Sequence, residues 1–220
     1  MIAQIESTAG KDVPPTYHLK VVLLGPKPPL WRQLQVPGDA SLGWLHAVIQ
    51  VAMGWTNSHL HQFKLGDFCY SEPRYNLAEF EGDPAVRDER KFTLQQLAPR
   101  AKDTLRYEYD LGDSWQHEIT VTKILRRDND AATTAHCLDG ARACPPEDCG
   151  GIRGYADLLK ILKKPKHPEH QSMKEWLGRP FDAEAFDVLE TNLWLRKLKW
   201  PRVTEAQLRK VLIARDDYHE

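Results

Sequence analysis

The sequence predicts an α/β protein of the α+β type, built on a mixed sheet with one packed helix and followed by about four C-terminal helices. Three observations lead to that class. Apolar residues alternate at period two through residues 17–23 and again through residues 104–124. Between Leu42 and Met53 the period switches to that of a helix, and helical spacing returns after about residue 150. With 220 residues, 41% of them hydrophobic and 28% charged, the chain is long enough to bury a core without a disulfide or metal.

Residues 1–15 read as a flexible leader ending in Pro14-Pro15. Tyr17, Leu19, Val21 and Leu23 form one face of a first strand, and residues 30–36 form a second. The proline-rich Gly25-Pro26-Lys27-Pro28-Pro29 joins them and is too long for a two-residue turn. Ser41 is placed to cap the helix that carries Leu45, Val48, Ile49 and Ala52, and Gly54 ends it. His59, His61, Phe63 and Leu65 alternate as a third strand. This order predicts a ubiquitin-like ββαβ core. Residues 72–91, rich in charge, proline and glycine, read as a solvated excursion, and residues 93–97 as a helical turn. Residues 104–124 form a second hairpin around Gly112-Asp113-Ser114. Four helices follow: one through Tyr155 and Leu162, one after Pro168, one capped by Asp182, and one opened by Thr204 and Gln207 at capping-box spacing. Residues 16–200 then make a single domain, and residues 201–220 its terminal helix and tail.

Charge and cysteine content narrow the function classes. Thirty basic against 31 acidic residues give a net charge of −1, which argues against a nucleic-acid clamp. No segment reads as a signal peptide or membrane span, so the expected compartment is the cytoplasm and no membrane partner is expected. Walker, dinucleotide-binding, nucleophile-elbow and zinc-protease motifs are missing, so no enzyme class is indicated.

Two stretches carry candidate chemistry. Cys137, Cys144 and Cys149 fall within 13 residues, in a segment expected as a loop, and His117 is the best-placed fourth ligand. Thiolates and imidazole suit zinc, but the spacing lacks the usual two-residue knuckle. A packed loop with inert buried thiols explains the cysteines equally well. His59 and His61 fall on one strand face and could chelate, or belong to the core. Asp110, Asp113 and Trp115 lie at the second hairpin beside His117, and Glu147 with Asp148 lies in the cysteine segment. If the two segments meet, their carboxylates and an imidazole could do acid–base work or hold a hard cation.

Long ordered blocks give these stretches a context. Trp31-Arg32, Met53-Gly54-Trp55, Ser58-His59-Leu60-His61-Gln62-Phe63, Tyr109-Asp110-Leu111-Gly112-Asp113-Ser114-Trp115 with His117, and the segment from Cys137-Leu138-Asp139-Gly140 to Cys144-Pro145-Pro146-Glu147-Asp148-Cys149-Gly150-Gly151 resemble the plasmid pRiA4b ORF-3-like family. The resemblance covers residues 17–198. It implies a mixed α/β fold, bacterial or archaeal relatives partly encoded on plasmids or mobile elements, and no established catalytic residues. The expected function is a binding or interaction module for a protein or small molecule, with a structural zinc. A metal-dependent enzyme acting on a small or phosphorylated substrate, and an accessory protein in mobile-element DNA transactions, are the alternatives.

Overall fold

The computed structural model describes residues 13–75, 86–125 and 134–219, so the expected leader lies outside the described residues up to residue 12. Eight strands form one mixed sheet: β1 (Thr16–Leu23), β2 (Leu30–Pro37), β3 (His61–Leu65), β4 (Phe68–Ser71), β5 (Val86–Asp88), β6 (Thr104–Tyr109), β7 (Trp115–Leu125) and β8 (His136–Ala141). Their spatial order is β5-β4-β3-β6-β7-β1-β2-β8, with β4 and β5 parallel and every other pair antiparallel. Both predicted hairpins join this sheet.

The connectivity departs from a ubiquitin-like core. There the strand after the helix belongs to the same small ββαβ unit, whereas here β6 and β7 separate β3 from β1. The second hairpin takes the centre because β7 is the longest strand and its inward row, Trp115, His117, Ile119 and Val121, is buried. A central strand can cover such a row on both sides. Three further segments differ from the sequence reading, and the first is β4, at Phe68–Ser71, where no element is expected. Residues 136–141 are an edge strand rather than a loop, with Leu34 paired to Cys137. Only Cys137 is buried there, so no apolar alternation marks the strand. The excursion at residues 72–91 contains β5 and the buried Glu89.

Helix α1 (Leu42–Met53) packs on the inner face of the sheet. Ser41 Oγ accepts from the Trp44 N–H, and Gly54 closes the helix at φ 104° with its N–H on the Gln50 carbonyl. Every α1 residue except Gly43 is buried. A helix apolar all round needs cover on both sides, and the outer side is closed by later helices. The short α2 (Leu94–Leu97) precedes β6. After β8 come α3 (Gly151–Leu162), α4 (His170–Leu177), α5 (Val188–Leu195) and α6 (Glu205–Asp216). Helix α5 lies against α1 and β8. It is capped by Asp187 rather than Asp182, whose carboxylate instead takes the Glu184 N–H in the preceding turn. The α6 capping box of Thr204 and Gln207 is formed in both directions. No helix among the described residues is long and apolar enough to cross a membrane.

Two arginines from distant segments meet the C-terminal end of α1. Arg32, 1% exposed, donates Nε to Ala52 O at 2.8 Å, Nη1 to Trp31 O and Ala141 O, and Nη2 to Arg142 O. Arg215 donates Nη2 to the carbonyls of Gly54 and Trp55. Helix ends leave their last carbonyls unpaired and carry partial negative charge, so a buried cation there is satisfied twice over. The Phe186 ring stacks over the Arg32 guanidinium at 3.8 Å. A Cβ at position 140 would come within 2.4 Å of that ring, so this point of the edge strand requires glycine.

Ile49 lies at the centre of this packing and is fully buried. Ile49→Ala should therefore lower unfolding stability by about 2–5 kcal/mol in urea titration. A loss under about half a kcal/mol would contradict the observed packing of α1.

Candidate functional site

The second hairpin and the cysteine segment meet. Asp113 Oδ2 accepts the Gly150 N–H at 3.1 Å, and a Cβ on Gly151, at φ 65°, would stand 2.6 Å from Asp113 O. Backbone approaches backbone there, and Gly151 leaves the room. Nearby, the buried Trp55 indole donates to Pro145 O, fixing the proline turn of the cysteine segment over the end of α1.

This junction gathers four ionisable groups from three parts of the chain. His59 Nε2 lies 3.1 Å from Asp148 Oδ1, 3.6 Å from Glu147 Oε2 and 3.7 Å from Asp110 Oδ2. One ligand atom each from His59, Asp110 and Asp148 falls within 4.8 Å of the other two. Despite these distances, Nε2 makes no hydrogen bond. The carboxylates are held from behind. Asp110 Oδ1 accepts the N–H groups of Gly112 and Asp113, and its backbone adopts φ 55° to do so. Glu147 Oε1 accepts from the Thr56 N–H at 2.8 Å, the Thr56 hydroxyl and the Tyr109 hydroxyl. Tyr109 in turn accepts the Ser58 N–H, and its pKa is raised by burial and by the Glu147 carboxylate. The site opens at Asp148, 72% exposed, whereas the Asp110 side chain is 9% exposed.

The expected cysteine–histidine zinc set is not assembled. Cys137 lies on β8 and His117 on β7, with β1 and β2 between them, so about 14 Å of sheet separates the two strands. Among the described residues, no group of three close ligand atoms includes a cysteine. All four cysteines are free thiols. Burial keeps the three candidates protonated, pushing Cys137 up to about 11 and Cys149 up to about 12, and raising Cys144 further despite the nearby Arg32 guanidinium. His117 is fully buried under Trp55, with Nδ1 3.4 Å from Tyr107 O and Nε2 unpartnered. Trp115 is likewise a core residue and Asp113 the clamp on Gly150, so neither belongs to the four-group cluster.

His59 and His61 separate for a simple reason. β3 begins at His61, so the parity that would align the two does not extend to His59. His61 stacks flat on His46, ring centroids 3.4 Å apart, and its Nε2 lies 2.9 Å from Glu89 Oε2. His46 bonds the Tyr107 hydroxyl and Asn57, and Gln50 donates to the same hydroxyl. Sequence reasoning missed Glu89, His46 and Gln50. The available signal was the presence of His46 and Gln50 inside the otherwise apolar α1 run, where a buried polar group implies a partner.

This network predicts an acid response. Burial pushes His61 and His117 down to about 3 and lowers His46, so in this window these imidazoles protonate only on unfolding and stability falls as pH drops below about 6.5. Burial raises Glu89 to about 7, so its contribution is present below the unfolded carboxyl value and lost as pH rises through 7. The two trends oppose each other between about pH 4.5 and 7. Glu89→Gln should therefore make the urea midpoint climb more steeply from pH 5 to pH 7 than in the parent protein. An unchanged slope would refute the neutral buried carboxyl.

Comparison with known proteins follows the same blocks. The model of the plasmid pRiA4b ORF-3-like protein family matches residues 15–190. The chain is 35% identical over 189 residues to a Sinorhizobium fredii protein described as uncharacterized protein y4hQ, covering 84% of this chain and 94% of that one. It is also similar to the crystal structure of a protein of unknown function, MM3350, from Methanosarcina mazei Go1, with TM-score 0.69 and 32% identity over 80% of this chain and 97% of the other. The matched span contains the whole sheet, α1 and the His59 junction, and on this evidence the chain belongs to the plasmid pRiA4b ORF-3-like family.

Proposed function

We propose that the protein is a binding module whose His59, Asp110, Glu147 and Asp148 cluster takes a divalent metal ion, zinc or manganese. The observation that carries this reading is His59 Nε2, faced by three carboxylate oxygens at 3.1–3.7 Å without a hydrogen bond to any of them. One imidazole and two or three carboxylates are a donor set such ions accept. The outer contacts support the reading as well. Asp110 and Glu147 are aimed by backbone N–H groups, Thr56 and Tyr109, the kind of second layer that orients metal-ligating carboxylates. With Asp148 at the exposed mouth, the ion would keep open positions for a partner's oxygen or nitrogen.

Protein purified without an affinity tag should bind one manganese or zinc ion per chain in calorimetric titration. His59→Ala combined with Asp148→Asn should weaken that binding at least about tenfold, by loss of two ligands. Cys144→Ser should leave it unchanged. Loss of binding in the cysteine variant, or none in the double variant, would overturn the reading.

A further inference from the structure

A cavity of about 620 Å³ is lined by none of the four cluster residues. It lies where the C-terminal turn of α1, the Ala143–Cys144 pair, the segment around residues 179–187 and helices α5 and α6 come together. Its walls are mixed. Met53, Phe181, Phe186 and Trp194 supply apolar surface, and Arg32, Arg179 and Arg215 supply positive charge.

The two buried arginines set the chemistry. All of the hydrogen bonds of Arg32 go to backbone carbonyls, so it has no carboxylate hydrogen-bonded to it. Arg215, 5% exposed, directs Nη2 to Gly54 O and Trp55 O, which explains its place at the helix end, and pairs through Nε and Nη2 with Asp216 Oδ1. Its Nη1 is buried and has no partner. Capping α1 therefore does not use up this guanidinium. A buried donor of this kind calls for an acceptor. The wall also carries four acidic residues, each engaged locally: Asp182 with the Glu184 N–H, Asp187 with the Glu190 N–H, Glu190 with the Trp194 indole, and Asp216 with Arg215 itself. The observation that points to an anion is therefore the unpartnered Nη1 of Arg215, in a cavity whose aromatic and aliphatic walls would take an apolar body.

We propose that this cavity binds a small organic carboxylate, its carboxylate on the Arg215 guanidinium and its apolar body against Met53, Phe181, Phe186 and Trp194. With Nε and Nη2 engaged, the open Nη1 would give the carboxylate a charge-assisted hydrogen bond. The site is independent of the metal cluster.

The test is calorimetric titration of the full chain, in buffer containing a chelator, with hexanoate, benzoate and 3-phenylpropionate. The neutral 3-phenylpropionamide and inorganic phosphate are the controls. At least one carboxylate should bind saturably at one site per chain, and at least tenfold more tightly than either control. Arg215→Gln should weaken it at least tenfold. Because Arg215 also holds the end of α1, Ala185→Trp provides a second variant: Ala185 is an exposed lining residue, and the indole should fill the cavity and abolish binding without shifting the thermal melt. Equal binding of the amide or of phosphate, no binding by any of the three carboxylates, or unchanged binding in a folded Ala185→Trp variant would each overturn the proposal. Chelator present throughout keeps this result separate from that of the metal cluster.

Discussion

The enclosed C-terminus of α1 is the constraint on which the rest of the structure depends. The last carbonyls of a helix have no partner within it, and leaving a buried one unpaired would cost about 1–3 kcal/mol. Arg32 from β2 and Arg215 from α6 reach this end from opposite directions in the chain. Arg32 does more than cap. Its other donors take the carbonyls of Trp31, Ala141 and Arg142, so one guanidinium ties the helix end to β2 and to the exit of the edge strand β8. Burial lowers its pKa to about 10, which still leaves it charged at neutral pH. Truncating such a residue strands a whole set of polar groups, and lysine could not reproduce the fork of four bonds.

From that anchor the functional surface follows. Once β8 and residue 142 are held, the chain runs directly into Cys144, Pro145 and Pro146, and Trp55, just past the helix end, pins Pro145 O. The next residues, Glu147 and Asp148, are thereby delivered to His59 and to the Asp110 turn. Asp113 and the glycines at 150 and 151 close the junction from the other side. The cysteines belong to this scaffold. They fill space near Arg32 and along the loop as neutral thiols, while the carboxylates between them face the cluster.

The same packing produces a second buried polar region, around His46, His61, Glu89 and Tyr107. His46 and His61, with His117 beside Tyr107, are kept neutral by burial, and with the raised Glu89 carboxyl they form a core that is sensitive to acid without exposing a charge. Stacked His46 and His61 give this part of the sheet a rigid aromatic platform next to the exposed junction.

Local periodicity was enough to place β1, β2, α1, β6 and β7, because each has one clear apolar face or stripe and Ser41, Gly54 and Thr204 mark helix ends by short-range hydrogen bonding. It also singled out Asp110, Glu147, Asp148 and His59 as candidates, since their residue types announce chemistry. β4, β5 and β8 were not legible: β4 has only four residues, too few to show an alternation, and the edge strands β5 and β8 bury too little to leave a pattern. Nor could sequence show that His117 is sealed in the sheet, that Cys137 lies three strands away from it, or that Arg32 caps a helix. Residue type and local spacing determine what a side chain is able to do. Which groups meet is decided by strand order and by the burial of α1, both of which arise from contacts between residues tens of positions apart.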